Sequence, residues 1–186
     1  ALRAYSKAAA LRPDHKSVHL AIATVLEEKN DWEGARRSYE RAIQAAPDQA
    51  GPLWSLAVAY EKRQALADAE KVYMRLVKVA PDSADAWFRL GHLRALRGSW
   101  KASAEAFEEC TRLRADWADA FVNLGVSYWQ LGDRETAAKA FEMASTSEPG
   151  ELEILRAIAG LTLEIRDLKR AEEIERQQQH LEMVKQ

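Results

Sequence analysis

This sequence of 186 residues is poor in several features, and each shortage excludes a class of protein. Its single cysteine, Cys110, permits no disulfide within the chain and no cysteine metal cluster. The 27 basic residues are balanced by 29 acidic ones, and a net charge of −2 gives no basic surface for nucleic acid or an anionic membrane. No run of residues approaches the ~18 consecutive apolar residues of a membrane-spanning helix. We therefore predict no nucleic-acid partner and no membrane insertion.

The sequence also lacks an N-terminal leader. It begins with Ala1 rather than Met, and no basic segment followed by an apolar segment opens it. Because the chain starts in the middle of a repeated pattern, we expect it to be a segment of a longer protein, whose targeting signals would lie outside it. The compartment is left open.

The sequence does contain one residue pattern that repeats at a fixed interval. Its proline markers are separated by multiples of 34 residues: Pro13, Pro47, Pro81 and Pro149. Ala115 is the one interruption of that series. Residues 118–149 carry the pattern most fully, as aromatic-x-x-Leu-Gly-x-x-Tyr, then Ala-x-x-x-Phe, then Pro. Self-similarity at this interval predicts an array of helix-turn-helix units.

The pattern resembles the tetratricopeptide repeat. The resemblance implies an all-α fold, a right-handed superhelical array of helix-turn-helix repeats known as an α-solenoid. We predict a single array over residues 1–186, in which 1–15 is the second helix of a truncated repeat. Four full repeats follow at 16–49, 50–83, 84–117 and 118–151, and 152–186 is a degenerate repeat with a capping helix. Repeat positions are numbered below with the proline at position 32.

Small and large residues recur at fixed positions, which predicts close packing of the two helices. Position 8 is always small, and position 24 is aromatic in the four full repeats. The members of position 8 are Ala23, Ala57, Gly91, Gly125 and Ala159, and those of position 24 are Tyr39, Tyr73, Phe107 and Phe141. Large side chains of one helix can therefore enter the space left by small ones on the other.

The turn between the two helices is specified at positions 15 and 16. Position 15 holds residues that tolerate a left-handed backbone, namely Asn30, Gly98 and Gly132. Position 16 holds residues that can cap the next helix, namely Asp31, Ser99, Asp133 and Asp167. Gln64 and Ala65 carry neither signal, so we expect a less sharply defined turn there.

No arrangement of residues predicts catalysis, a cofactor or a metal. His15 and His19 have the spacing of two ligands on one helix face, but His19 occupies a position that is large and apolar in the other repeats, which favours a packed imidazole. Cys110 shares its position with Ala42 and Ala144, which predicts a small buried site. The segment after Gly98 lacks the second glycine of a phosphate loop. We predict a non-catalytic chain with no cofactor.

The resemblance implies a binding groove on the concave side, lined by first helices through positions 2, 5, 6, 9, 12 and 13. Carried onto this sequence, those positions give the predicted groove residues: Trp54, Phe88, Arg89, His92, Asn123, Val126, Trp129 and Arg156. Glu27, Glu28 and Glu61 lie toward the N-terminal end of the groove. Aromatic anchors beside a few hydrogen-bonding groups are typical of binding hot spots.

Each groove residue also has a structural interpretation. Trp54 and Phe88 could be covered by a neighbouring first helix. Arg89 lies four residues after Asp85 and could also meet Asp119, which favours a surface ion pair. Trp129 has the weakest structural explanation, because the equivalent residues Glu27, Glu61 and Ala95 show that the fold needs no aromatic at that position.

The sequence predicts a protein-interaction scaffold that binds a peptide segment or a partner protein along this groove. The clamp by which related co-chaperones grip a C-terminal carboxylate is not predicted, because no three consecutive repeats carry its residues. One alternative is the substrate-recruiting arm of a larger, glycosyltransferase-like enzyme; Asn123 matches the asparagine ladder of such arms, whereas Ala21, Ser55, Arg89 and Ala157 do not. Another is self-association through the N-terminal half-repeat, whose stripe of Leu2, Tyr5 and Ala9 lacks a covering helix.

Overall fold

The computed structural model describes residues 2–12 and 15–147, together with 160, 169, 175 and 176. Residues 2–12 and 15–147 form helices joined by short turns. In chain order these helices are α1 (Leu2–Leu11), α2 (Lys16–Glu28), α3 (Trp32–Ala45), α4 (Ala50–Lys62), α5 (Leu66–Val79), α6 (Ala84–Leu96), α7 (Trp100–Leu113), α8 (Ala118–Leu131) and α9 (Arg134–Ser147). The described part of the chain contains no strand, and the all-α prediction is confirmed.

Each 34-residue interval from residue 16 to residue 151 contains two of these helices. We call α2, α4, α6 and α8 the first helices, and α3, α5, α7 and α9 the second helices. The division of the chain into repeats at the predicted bounds stays a prediction, and most of the last repeat, 152–186, lies outside the described residues. The chain forms two compact units, Ala1–Leu93 and Arg94–Gln186, and each is described by itself below.

The turns between first and second helices share one backbone geometry. Asn30, Gly98 and Gly132 all have positive φ, as position 15 predicts (58°, 71° and 85°). The amide of Asp31 reaches back to the Leu26 carbonyl at 2.9 Å, the bond that closes a helix end of this kind. Helix and turn therefore follow from local sequence at these three joints.

The expectation of a poorly defined turn at Gln64 is wrong. Gln64 has φ 58°, the same value as Asn30. The amide of Ala65 donates to the Tyr60 carbonyl at 3.0 Å, which repeats the bond made by Asp31. Packing of α4 against α5 holds Gln64 in this conformation. The conformation destabilises the backbone locally, because a side chain at positive φ is crowded by its own backbone.

Two of the predicted helix caps form and one does not. The Asp31 carboxylate accepts a hydrogen bond from the Gly34 amide at 3.0 Å, and the Asp133 carboxylate accepts one from the Thr136 amide at the same distance. Ser99 makes no side-chain cap, so that prediction is wrong. Asp167 lies outside the described residues. The hydroxyl of Thr136 also donates to the Asp133 carboxylate, at 2.7 Å, and this bond, followed by the cap bond from the Thr136 amide, lowers the pKa of Asp133.

The core of each unit is built from the small and large positions of the repeats. Tyr39 and Tyr73 are buried in the first unit, and Phe107 and Phe141 are buried in the second. A Cβ atom added to Gly125 would lie 2.9 Å from the ring of Phe141, so the smallest residue is needed there. The predicted close approach of the two helices is confirmed at this position.

Candidate functional site

In the first unit, the predicted groove residues differ in how much of them reaches solvent. Trp54 and Phe88 are half-buried, and Arg89 and His92 are exposed. The ring of Trp54 packs edge-on against Tyr73 of its own second helix, with 5.8 Å between centroids. One side of the Trp54 ring therefore contacts Tyr73 of its own repeat, and the rest of the ring is partly exposed to solvent.

Arg89 forms an ion pair, as the sequence suggested, but the partner that the structure shows is neither of those named. Its Nη1 lies 3.3 Å from Oε2 of Glu61, which lies on the preceding first helix. The Glu61 side chain is only 21% exposed, whereas that of Arg89 is 49% exposed. The Glu61 carboxylate is thus held in place by burial, whereas the Arg89 guanidinium is exposed to solvent.

Glu61 is held close to a buried tyrosine. Its second carboxylate oxygen, Oε1, and the hydroxyl of Tyr73 are both fully buried, and neither makes a hydrogen bond. Burial, followed by the neighbouring Glu61 carboxylate, raises the pKa of Tyr73. Glu61 therefore raises the pKa of the buried Tyr73 and forms an ion pair with the exposed Arg89.

The preceding repeat contains the same tyrosine and glutamate with the hydrogen bond made. The hydroxyl of Tyr39 donates to Oε2 of Glu27 at 2.7 Å. Burial and this bond raise the pKa of Tyr39. Glu27 and Glu61, predicted as groove side chains, thus serve the tyrosines of their own repeats.

This pairing was missed by the sequence analysis, although the repeats carry a signal for it. Position 12 is glutamate in the two repeats with tyrosine at position 24, as Glu27 with Tyr39 and Glu61 with Tyr73. It is Ala95 or Trp129 in the two repeats with phenylalanine there. The two positions change together, as a hydroxyl donor and its acceptor should.

In the second unit, the candidate residues lie on α8. Val126 is 37% exposed, and Asn123 is half-buried and donates from Nδ2 to the Asp119 carbonyl of its own helix at 2.7 Å. Trp129 is half-buried and packs edge-on against Phe141, with 6.4 Å between ring centroids. Trp129 therefore has a packing role that the sequence analysis did not predict. Arg156 lies outside the described residues.

A cavity of about 290 Å³ lies beside α7 and α8 in the second unit. Its described lining residues are Lys101, Ala104, Glu105, Tyr128, Leu131 and Asp133. The hydroxyl of Tyr128 donates to Glu108, and this bond, with burial and the charges of Glu108, Asp133 and Glu105, raises the pKa of Tyr128 to about 12. None of these residues belongs to the predicted groove.

The histidine pair and the cysteine are placed as the packing interpretation predicts. His19 is 5% exposed, whereas His15 is exposed. Cys110 is a fully buried thiol. Among the residues that the structure describes, no group of three or more His, Cys, Asp or Glu side chains could hold a metal ion. Over the same residues, no helix combines the length and the apolar character needed to cross a membrane.

Comparison with solved structures places this architecture among known proteins. One structure, titled "Crystal structure of MamA protein", is 25% identical with a TM-score of 0.69, covering 85% of this chain and 90% of that one. A second, titled "Crystal structure of MamA", is 26% identical with a TM-score of 0.66, covering 84% and 96%. MamA 41-end from Desulfovibrio magneticus RS-1 is 19% identical with a TM-score of 0.68, covering 85% and 89%, and shows likeness of fold alone.

Family models agree with the structural likeness. No curated protein sequence matches the chain. Three models described as tetratricopeptide repeat match residues 1–50, 28–95 and 118–150, which together make up more than half of the sequence. With the helix pairs, the left-handed turns and the small-to-aromatic packing described above, these matches show that the chain belongs to the tetratricopeptide repeat family.

Proposed function

We propose that this chain is a protein-interaction module, without chemistry of its own, that binds a peptide segment or a partner protein along the face of its first helices. Membership of the tetratricopeptide repeat family supports a role in protein interaction. The proposal adds that the partner is a peptide segment or a protein and that it binds to the face formed by the first helices.

The observation that carries the proposal is the division of side chains on each first helix. On α6 the packing residues Leu90 and Gly91 are buried, and the next residue, His92, is exposed. On α8 Leu124 and Gly125 are buried, and Val126 is exposed. The first helices thus separate residues that hold the repeat together from residues that the repeat leaves available.

The two tryptophans are poor choices for testing this proposal. Trp54 and Trp129 both pack on the aromatic residue at position 24 of their own repeats. Replacing either by Ala would remove core contacts worth about 3 kcal/mol, and a loss of binding would then report unfolding. The test needs exposed residues that make no such contacts.

The experiment compares two matched pairs of substitutions. Val126→Asp places a carboxylate on the exposed side of α8, and Met143→Asp makes a similar change on α9, where Met143 is 46% exposed. His92→Asp on α6 is matched by Met74→Asp on α5, where Met74 is 40% exposed. The partner is first identified by crosslinking in the native source, and its affinity for each purified variant is then measured by calorimetry.

We expect Val126→Asp and His92→Asp each to weaken binding by more than about tenfold, because an unpaired carboxylate buried at an interface costs more than ~1.4 kcal/mol. The controls should bind as the wild type does. The proposal fails if the second-helix substitutions weaken binding and the first-helix substitutions do not.

Self-association is a second candidate, favoured by one observation. Tyr5 on α1 is 38% exposed, and it belongs to the stripe predicted to lack a covering helix. Light scattering over a range of concentrations should then show a mass that rises for the wild type and stays monomeric for Tyr5→Glu. A monomer at every concentration contradicts this candidate. The alternative of an arm of a larger enzyme stays a prediction, which the flanking sequence of the parent gene decides.

A further inference from the structure

The first unit carries different residues at the repeat positions that line the cavity beside α7 and α8, and the comparison indicates what the cavity takes. Among the equivalent positions in the first unit is Tyr60, which corresponds to Tyr128. There, position 21 of the preceding second helix is Arg36, and it bonds to Glu33 at 3.0 Å and Glu40 at 2.5 Å. In the second unit position 21 is Ala104, which lines the cavity instead of filling it.

Arg36 interacts with the tyrosine of its site as well as with the carboxylates. Burial and the charge of Asp68 raise the pKa of Tyr60, and the charge of Arg36 acts on the same hydroxyl in the opposite direction. A second arginine, Arg63 at position 14, lies 4.6 Å from the centroid of the Trp32 ring. Position 14 in the second unit is Leu131, which is 46% exposed. Both arginines of the first site are therefore replaced by apolar residues in the second.

One of the two carboxylates that bond Arg36 is retained in the second unit, whereas the position of Glu33 is taken by Lys101. Glu108 occupies the position of Glu40, and Glu105 and Asp133 add two more carboxylates near Tyr128. Among the described residues lining the cavity, Lys101 is the one cation. Lys139 acts on Asp133 from outside it. Three carboxylates against these two lysines leave an acidic excess of one at an otherwise apolar site.

We propose that this cavity is a docking site for an arginine side chain of a partner protein. The guanidinium would pair with Glu105 and Glu108, and its methylene groups would lie against Ala104, Tyr128 and Leu131. The volume of about 290 Å³ lies just below the range of ligand pockets, ~300–1,000 Å³, which suits one long side chain better than a larger ligand. The site is separate from the predicted groove and goes beyond the proposed function.

The probe for this site is N-acetyl-L-argininamide, and its uncharged isostere N-acetyl-L-citrullinamide is the ligand control. Each is titrated into 15N-labelled protein while amide resonances are followed. We expect the arginine compound to shift the amides of Ala104, Tyr128 and Leu131 in a saturable manner. The citrulline compound should not do so, because it lacks the charge that the carboxylates recognise.

Three variants locate the effect. Glu105→Gln keeps the shape of an exposed side chain and removes its charge, and should weaken binding by roughly two- to fivefold, the effect of one partly exposed ion pair. Glu142→Gln makes the same change on α9 away from the cavity and should leave binding unchanged. Ala104→Arg supplies the internal arginine that the first unit has, and should abolish the saturable shifts.

Several results would overturn this proposal. They are the absence of saturable shifts in the wild type, equal shifts with the citrulline compound, or equal effects of Glu105→Gln and Glu142→Gln. If Ala104→Arg fails to fold, Glu105→Gln still decides the question, because Glu105 is exposed and contributes no core packing.

Discussion

The repeats in residues 16–83 and those in residues 84–151 use the same positions with different chemistry. Residues 16–83 carry alanine at position 8, glutamate at position 12 and tyrosine at position 24. Residues 84–151 carry glycine at position 8, alanine or tryptophan at position 12 and phenylalanine at position 24. The turns differ in the same way, since Asn30 and Gln64 take positive φ in the first unit and Gly98 and Gly132 do so in the second.

The difference shows that one helix-pair geometry can be held by a polar or an apolar contact. In the first unit a buried hydroxyl faces a carboxylate from the first helix, as Tyr39 faces Glu27. In the second unit an indole covers the phenylalanine, as Trp129 covers Phe141, and glycine brings the ring close. Glu27 and Trp129 at position 12 therefore contact the aromatic residue of their own repeats, whereas His92 and Val126 at position 9 are exposed.

The largest effect is expected from giving the second unit the alanine of the first. Gly125→Ala places a Cβ 2.9 Å from the buried ring of Phe141, and Trp129 limits how far that ring can move. We expect a loss of about 1–3 kcal/mol in unfolding free energy, measured by urea denaturation. Gly51→Ala is the control; nothing lies within 4 Å of its added Cβ on α4, so it should stabilise by about 0.5–1 kcal/mol. Equal effects of the two substitutions would show that position 8 is not closely packed.

The two tyrosines of the first unit should respond differently to loss of the hydroxyl. Tyr39→Phe removes a formed hydrogen bond to Glu27 and should cost about 1 kcal/mol. Tyr73→Phe removes a buried hydroxyl that has no hydrogen-bond partner, and should leave stability unchanged or raise it by up to about 1 kcal/mol. Thermal and urea unfolding of both variants check this prediction. A similar loss in both would mean that Tyr73 is bonded to Glu61 in solution.

A smaller gain is expected from giving the first unit a turn of the second. Gln64 adopts φ 58° without the backbone freedom of glycine. Gln64→Gly should therefore raise the unfolding free energy by about 0.5–1 kcal/mol, and Gly132→Gln, at φ 85°, should lower it by a similar amount or more. If both substitutions destabilise, the side chain of Gln64 makes a contribution that outweighs the strain of its backbone.

The smallest effect concerns the titration of Tyr128. Its pKa of about 12 lies above the ordinary value, and the hydrogen bond to Glu108 is the main cause. Since the folded state holds the phenolic proton more tightly than the unfolded state does, this contribution to stability is complete below about pH 10 and is lost as the pH rises through about 12. Glu108→Gln should lower the pKa of Tyr128, as seen in the NMR titration of its ring carbon. An unchanged titration would exclude Glu108 as the cause.

The repeated part of the fold could be predicted because the same residue pattern recurs in each repeat. The interval of 34 residues, the left-handed turns at Asn30 and Gly132, and the cap at Asp31 are local signals that need no knowledge of distant contacts. The turn at Gln64 could not be predicted, because it depends on the packing of the helices on either side rather than on its own residue type.

The candidate site was predicted only as a set of positions. The sequence placed His92 and Val126 on first helices but gave no measure of their exposure. It named Asp85 and Asp119 as partners for Arg89, since sequence spacing does not show that Glu61 of the preceding helix is within reach. The signal for the tyrosine and glutamate pairs is the joint change of positions 12 and 24 between repeats, which neither position shows alone.

The most direct test of partner binding along the first helices is a hydrogen-exchange footprint of the complex. With the crosslinked partner purified and bound, amide protection should increase on α4, α6 and α8, centred near His92 and Val126, and α5, α7 and α9 should exchange as they do in the unbound protein. Protection confined to the second helices, with the first helices unchanged, would contradict the proposed binding face.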